Sequence, residues 1–292
     1  MSKKLNINIQ HKDRLFRLLF GDERYKANIL SLYNALNGTE YNDVSELELY
    51  TIEDVIYIKM KNDVAIILDS YLSLWEQQSS CNPNMPLRGL MYFGKLYSKY
   101  VETKGLNIYG TKLVKIPTPR YIVFYNGTEN IMPVLHLKLS DSFIAPDKSG
   151  DFEWTATMYN LNRGNNGNLL KRCKPLRDYM TLIERIRDGL ELFHDVESAV
   201  DNAVSSCIKD GIMRDFLLAH RAEVLDMCIT EFNEKTFVNG IKEEGVEEGL
   251  KMGLLRSIKV FLDNGGTEDM AKKMLKATDE QLEMAKKLKV SE

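Results

Sequence analysis

Apolar residues recur at helical spacing in DRLFRLLF (13–20) and again in NILSLYNAL (28–36), with Gly21 and Asp22 between them, so the chain opens with two predicted helices. The period then changes. SELELYTI (45–52), DVAIIL (63–68) and YLSLWEQ (71–77) are short alternating or continuous apolar runs, which predict three successive antiparallel strands. Pro83 and Pro86 forbid regular structure locally, and RGLMYFGKLYSKYVE (88–102) then resumes a helical period with Leu90, Phe93, Leu96 and Tyr97 in one stripe. Pro117 and Pro119 introduce RYIVFYNG (120–127), a strand ended by a turn. WTATMYNLN (154–162) predicts a further strand and GNNGN (164–168) a loop. From about residue 176 the pattern is helical, through DYMTLIERIRDGLELF, ESAVDNAVSSCIKDGI and MRDFLLAHRAEVLDMCITEF, and the last fifty residues form an acidic tail punctuated by glycine.

Helix, three strands, helix and strand in that order imply an α/β protein, a mixed sheet with helices packed on it. A chain of 292 residues with 44% hydrophobic content can bury a sizeable core and is not a disordered one. No apolar run is long enough to span a bilayer and the first residues carry no apolar signal core, so the expectation is a cytoplasmic protein without a membrane partner. Cys81, Cys173, Cys207 and Cys228 stand far apart, which predicts reduced and mostly buried thiols rather than a zinc ribbon or redox pair. The four histidines are equally scattered. Charge is not: residues 1–180 hold 23 basic against 19 acidic residues, and the remaining 112 hold 16 against 23. A phosphate-binding surface therefore belongs to the first part.

Chemistry concentrates in the hairpin NDVAIILDSYLSLWEQQ (62–78). A turn centred on Asp69 and Ser70 pairs Leu68 with Tyr71, which sets Asp63 opposite Glu76 and puts Gln78 on the same face. Opposed carboxylates in a ladder repel, so the arrangement calls for a cation. Carboxylates with a backbone carbonyl suit a hard ion such as Mg²⁺, which favours a phosphate as its remaining partner and supports phosphodiester hydrolysis. The alternative is edge protection by charge, and a register slip of one residue would send Asp63 and Glu76 to opposite faces.

These residues, taken with KDRLFRLLFGD (12–22), NDVAIIL (62–68), WEQQSSCNPNMPLRGLMYFGKLYSKY (75–100), NIYGTKLVKIPTPRYIVFYNG (107–127) and the tail GVEEGLKMG (245–253), resemble the PD-(D/E)XK nuclease superfamily. More closely they are similar to its recombination-promoting (Rpn) branch, also called YhgA-like transposases. The likeness runs from about residue 10 to about 235. It implies a restriction-endonuclease-like core with a mixed sheet flanked by helices and a C-terminal helical region. Residues 1–240 would be the nuclease-like domain, with its core at about 10–180 and a helical extension over 181–240. Residues 241–292 would be the tail. The implied activity is that of a metal-dependent DNA endonuclease acting in recombination, mobile-element movement or phage defence.

By the same resemblance Asp63 and Glu76 are the metal-binding acids, the carbonyl of Gln77 completes the coordination of Mg²⁺ or Mn²⁺, and Gln78 stands where many relatives have lysine. Asn62 replaces the motif's proline, and Gln78 brings no positive charge, so water activation would lean more heavily on the metal. Asp13 is a candidate accessory acid, or else a charge complementing a helix dipole. Arg88 and Tyr92, one helical turn apart, could reach a phosphate, against the plainer reading of a solvated arginine over a packed tyrosine. Lys171, Arg172, Lys174 and Arg177 form a basic cluster able to track a DNA backbone, or a solvated face.

In the tail, Gly245, Gly249 and Gly253 at spacing four predict a narrow helix face for pairing, as in a homo-oligomer or with a protein partner, or else a mobile acidic tail. Thr267 and Thr278 are predicted N-caps, only the second completing a capping box through Gln281. Two rival functions stand beside the nuclease: a catalytically inactive nucleic-acid-binding or interaction protein keeping the fold, and a hydrolase of small phosphate compounds.

Overall fold

The hairpin at the heart of the sequence argument is also the centre of the sheet. The computed structural model describes residues 14–50, 64–147 and 149–288. Strand β2 (Val64–Leu68) pairs antiparallel with β3 (Tyr71–Gln78) in the predicted register, Leu68 opposite Tyr71 and Val64 opposite Trp75. The two-residue turn is tight enough to put Asp69 at φ 55°, a left-handed conformation that Asp tolerates better than most residues. All five residues of β2 are buried and β3 is buried from Leu72 to Gln77, because helices cover both faces.

Ahead of them, α1 (Arg14–Phe20) and α2 (Lys26–Asn37) are the two expected helices, and α2 stops at Gly38, whose φ of 71° suits glycine. The expected strand over 45–52 is reduced to β1 (Glu48–Leu49), with residues 51 and 52 outside the described ones. Asp43 caps a 3-10 turn over Val44–Glu46, which takes those residues out of the strand.

The next helix, α3 (Met85–Thr103), starts three residues earlier than the prolines suggested. Pro86 sits in its first turn, where a missing N–H leaves no hydrogen bond unmade. Its buried stripe runs through Gly89, Tyr92, Phe93 and Leu96, with Leu90 and Tyr97 half-buried at its margins. Strand β4 (Thr118–Tyr125) then lies parallel to β3, from Tyr71 opposite Thr118 to Gln78 opposite Tyr125. Pro119 is tolerated in this interior strand. The amides of Thr118 and Asn126 bind β3, so that of residue 119 would point to the other side, where pairing with β6 begins only at Ile122.

Two further strands complete the sheet. Val134–Lys138 forms β5, an edge strand absent from the sequence reading because its residues are only half covered; β6 (Thr155–Asn160) inserts between it and β4. The order among the described residues is β1-β2-β3-β4-β6-β5, a mixed sheet. One face, with Leu72, Leu74, Val123 and Met158, packs under α3. On the other, the Phe16 ring lies 5.5 Å from Phe124 and 6.0 Å from Tyr179.

Glycine at position 89 permits the closest approach on the α3 side, because a Cβ there would fall 2.4 Å from the Tyr121 ring. Gly89→Ala is therefore expected to destabilise by about 1–3 kcal/mol, as overpacking does, although alanine favours helix. Urea unfolding measures it; an unchanged midpoint would show that Tyr121 yields freely.

Tyr179 belongs to α5 (Lys174–Phe193), which follows the short α4 (Gly167–Arg172) that takes up the end of the expected GNNGN loop. Against α5 packs α6 (Val196–Lys209), where Gly189 meets Ala199 at 3.2 Å from an added Cβ. The run over 213–232 divides at His220 into α7 (Arg214–Ala219) and the start of α8 (Arg221–Asp263). The chain forms two compact units, residues 1–231 and 232–292.

In the second unit, Leu255 and Ile258 of α8 bury against Ala271 of α9 (Glu268–Leu275) and against Leu282 and Ala285 of α10 (Asp279–Lys287). Thr267 and Thr278 cap these helices as expected, with the reciprocal Gln281 bond only at the second. A Cβ on Gly249 or Gly253 would meet nothing within 4 Å among the described residues; the surroundings of Gly245 lie outside them. The four cysteines are free, three buried and Cys81 half-buried. Among the described residues no helix is long and apolar enough to cross a membrane.

Candidate active site

Alternation along β3 sends Trp75 and Gln77 to the α1 and α5 side and Glu76 to the α3 side, in line with Leu72 and Leu74. The strand is covered on both faces, so this carboxylate at its end is only 1% exposed. Such burial requires compensation. Arg88 on the second turn of α3 supplies it, donating from Nη2 to Oε2 of Glu76 at 3.0 Å. Tyr92, one turn further and buried, engages the same guanidinium.

Tyr121 comes from β4. It faces Leu74, two pairs before Val123 faces Glu76 and so on the same face of the sheet, and its hydroxyl lies close enough to interact with the carboxyl. Yet Oε1 of Glu76 and the Tyr121 hydroxyl are both buried without a hydrogen bond of good geometry among the described residues. Native structures leave few such atoms unsatisfied, and one that persists points to strain, a functional role or an ordered water or ion.

Burial pushes the Glu76 carboxyl up to about 7, with Arg88 and then Tyr121 pulling it back. Burial works hardest against the Arg88 charge, but Glu76 together with Tyr92 and Tyr121 more than offsets it, and the guanidinium ends above its ordinary range. The Tyr121 phenol is held well above its usual value, by burial first and by Glu76 second.

The side chain of Gln77 faces the opposite layer, where its amide donates to Asn126, whose own amide donates to Tyr179 at 3.3 Å. Its backbone carbonyl has a different aspect. The carbonyls of Ser70 and Gln78 accept from β4, and alternate carbonyls of a strand point to opposite sides, so that of Gln77 points toward the β2 side. Gln78 is half-buried and shares the Glu76 face. Asp63 and Asp13 lie outside the described residues; the hairpin register holds as far as Val64 opposite Trp75. Among the described residues no three His, Cys, Asp or Glu side chains gather as a metal site.

The predicted basic cluster stands elsewhere. Lys171 and Arg172 end α4, and Lys174 and Arg177 begin α5, on the layer opposite α3. Arg172 donates to the Asn34 carbonyl at 3.4 Å, Lys174 pairs with Asp178, and Arg177 lies 3.7 Å from the same carboxylate. The fold does not bring them to Glu76. Conversely it adds Tyr121, which sequence reasoning missed: a tyrosine inside an apolar strand reads as core, and only the parallel β3–β4 register sets it beside the acid. Compared with family models, with curated proteins and with solved structures, the chain gives no significant match.

Proposed function

We propose that this protein is a metal-dependent DNA endonuclease of the PD-(D/E)XK type, of the Rpn branch that its sequence resembles. The observation that carries the reading is the Glu76 carboxyl, buried at the end of a hairpin strand with Oε1 lacking a hydrogen bond among the described residues. The donors fit a hard cation: the carboxylates of Glu76 and Asp63 and the carbonyl of Gln77 would hold Mg²⁺ or Mn²⁺. The ion, when bound, supplies polarisation of the phosphate and a lowered pKa for water.

The chain's own residues do the rest. Arg88 fixes the orientation of Glu76 through Oε2, and Oε1 is left without a hydrogen bond of good geometry among the described residues. Gln78, half-buried on the same face, can accept from and orient an attacking water but cannot stabilise its deprotonation by charge. A place in recombination, mobile-element movement or phage defence follows from the resemblance alone.

Supercoiled plasmid incubated with the purified protein should be nicked in Mg²⁺ and left intact in EDTA; intact plasmid in both would sink the enzyme reading. One observation favours a second reading, a catalytically silent binding protein. Arg88 already neutralises Glu76, so the acid has a resident cation from the chain itself. DNA binding without nicking would select it.

A further inference from the structure

Residues 104–117 join α3 to β4 at the end of the sheet remote from Glu76. Thr118, which follows them, pairs with Tyr71, and Glu76 lies five residues along β3, about 17 Å away at roughly 3.3 Å per residue. The segment exposes large apolar side chains. Tyr109 is 94% and Leu113 82% exposed, and Ile108 and Ile116 about half. It is also basic. Residues 95–117 hold Lys95, Lys99, Lys104, Lys112 and Lys115 against Glu102, in a chain of net charge -3. Lys99 rests over the Tyr50 ring and Lys104 is 4.0 Å from Glu48, whereas Lys112 and Lys115 are exposed without an ion-pair partner among the described residues. Beside Tyr109 a hollow of about 510 Å³ opens between α3 and the loop, lined by Gly94, Tyr97, Val101, Leu106 and Ile108 among others.

We infer that this loop and hollow form a binding surface for unpaired nucleic acid, with a base lodged against Tyr109 and the backbone phosphates on Lys112 and Lys115. Uncompensated lysines next to exposed apolar groups suit a polyanion with apolar faces, and a single strand is one. A lipid headgroup layer shares the charge but offers nothing shaped to enter a hollow, whereas a splayed base is flat and apolar on both faces. Duplex DNA keeps its bases stacked inside, so it would engage the lysines but not Tyr109. The inference concerns binding and stands without the nuclease reading.

Fluorescence titration of the full chain in EDTA, where metal-dependent cleavage does not intervene, separates these partners. The probes are a 20-nucleotide single strand, its duplex, and vesicles of phosphatidylserine with phosphatidylcholine. Tyr109→Ala should weaken single-strand binding about tenfold, the usual scale for a lost stacking platform, and leave the duplex within twofold. Tyr109→Trp should restore it, with indole fluorescence quenched on binding. Lys112→Gln with Lys115→Gln should weaken both nucleic acids and reduce the single-strand salt slope by about 1.4. All these side chains are exposed, so the melting temperature should not move. Absent single-strand binding, equal losses on single strand and duplex for Tyr109→Ala, or variants that lose only vesicle binding would each overturn the assignment.

Discussion

Glu76→Gln is expected to lower Mg²⁺-dependent plasmid nicking about a thousandfold, equivalent to roughly 4 kcal/mol of transition-state stabilisation. The amide matches the carboxylate in shape and still accepts from Arg88, so the fold should persist, but the negative charge that holds a hard cation is gone. Asp63→Asn should match it, since a site of two acids fails when either is neutralised. Gln78→Ala should cost only about tenfold, because water positioning is lost while both carboxylates remain. DNA binding measured in Ca²⁺ should survive all three. Undiminished nicking by a rigorously purified Glu76→Gln protein would remove the assignment.

Arg88→Ala should destabilise the metal-free protein by about 1.4 kcal/mol more at pH 8 than at pH 5, because without its partner Glu76 keeps its proton instead of carrying a buried charge. The sign follows from Glu76. Its folded pKa of about 7 lies above the ordinary 4.5, so the carboxyl is protonated in both states below pH 4.5 and burdens neither. As pH rises from 4.5 through 7 the folded state must accept a buried charge, and about 3 kcal/mol of stability is lost even with Arg88 present. Removing Arg88 takes away the main group that pulls this pKa down, so the loss extends to higher pH.

Urea unfolding in EDTA at the two pH values measures the effect, and adding Glu76→Gln to Arg88→Ala should recover most of the extra loss at pH 8. Equal destabilisation at pH 5 and pH 8 would instead assign the effect to packing by the arginine stem. The same pair bears on function. An arginine needed to orient a ligating acid should lower nicking when removed, whereas one that replaces a metal should lower stability alone.

Local chemistry and periodicity determined much of this protein. The Asp69–Ser70 turn together with the apolar runs on either side sets the hairpin register, because a slip of one residue would turn Ile66 and Trp75 out of their cores. Thr267 and Thr278 end their helices by side-chain bonds reaching only three residues, which is why they were legible in the chain. Glu76 stood out for a similar reason, as an acid in a strand otherwise apolar. Strand β5 did not, since an edge strand half open to water shows little apolar alternation. What surrounds Glu76 was decided only by the tertiary structure. Arg88 reaches it because α3 begins at Met85 and crosses the sheet, and Tyr121 because β4 runs parallel at one register out of several that its apolar residues would allow. The basic residues of α4 and α5 went to the opposite layer because Tyr179 and Met180 are buried on that side of α5, and linear charge clustering carries no information about which face of a sheet a helix will cover.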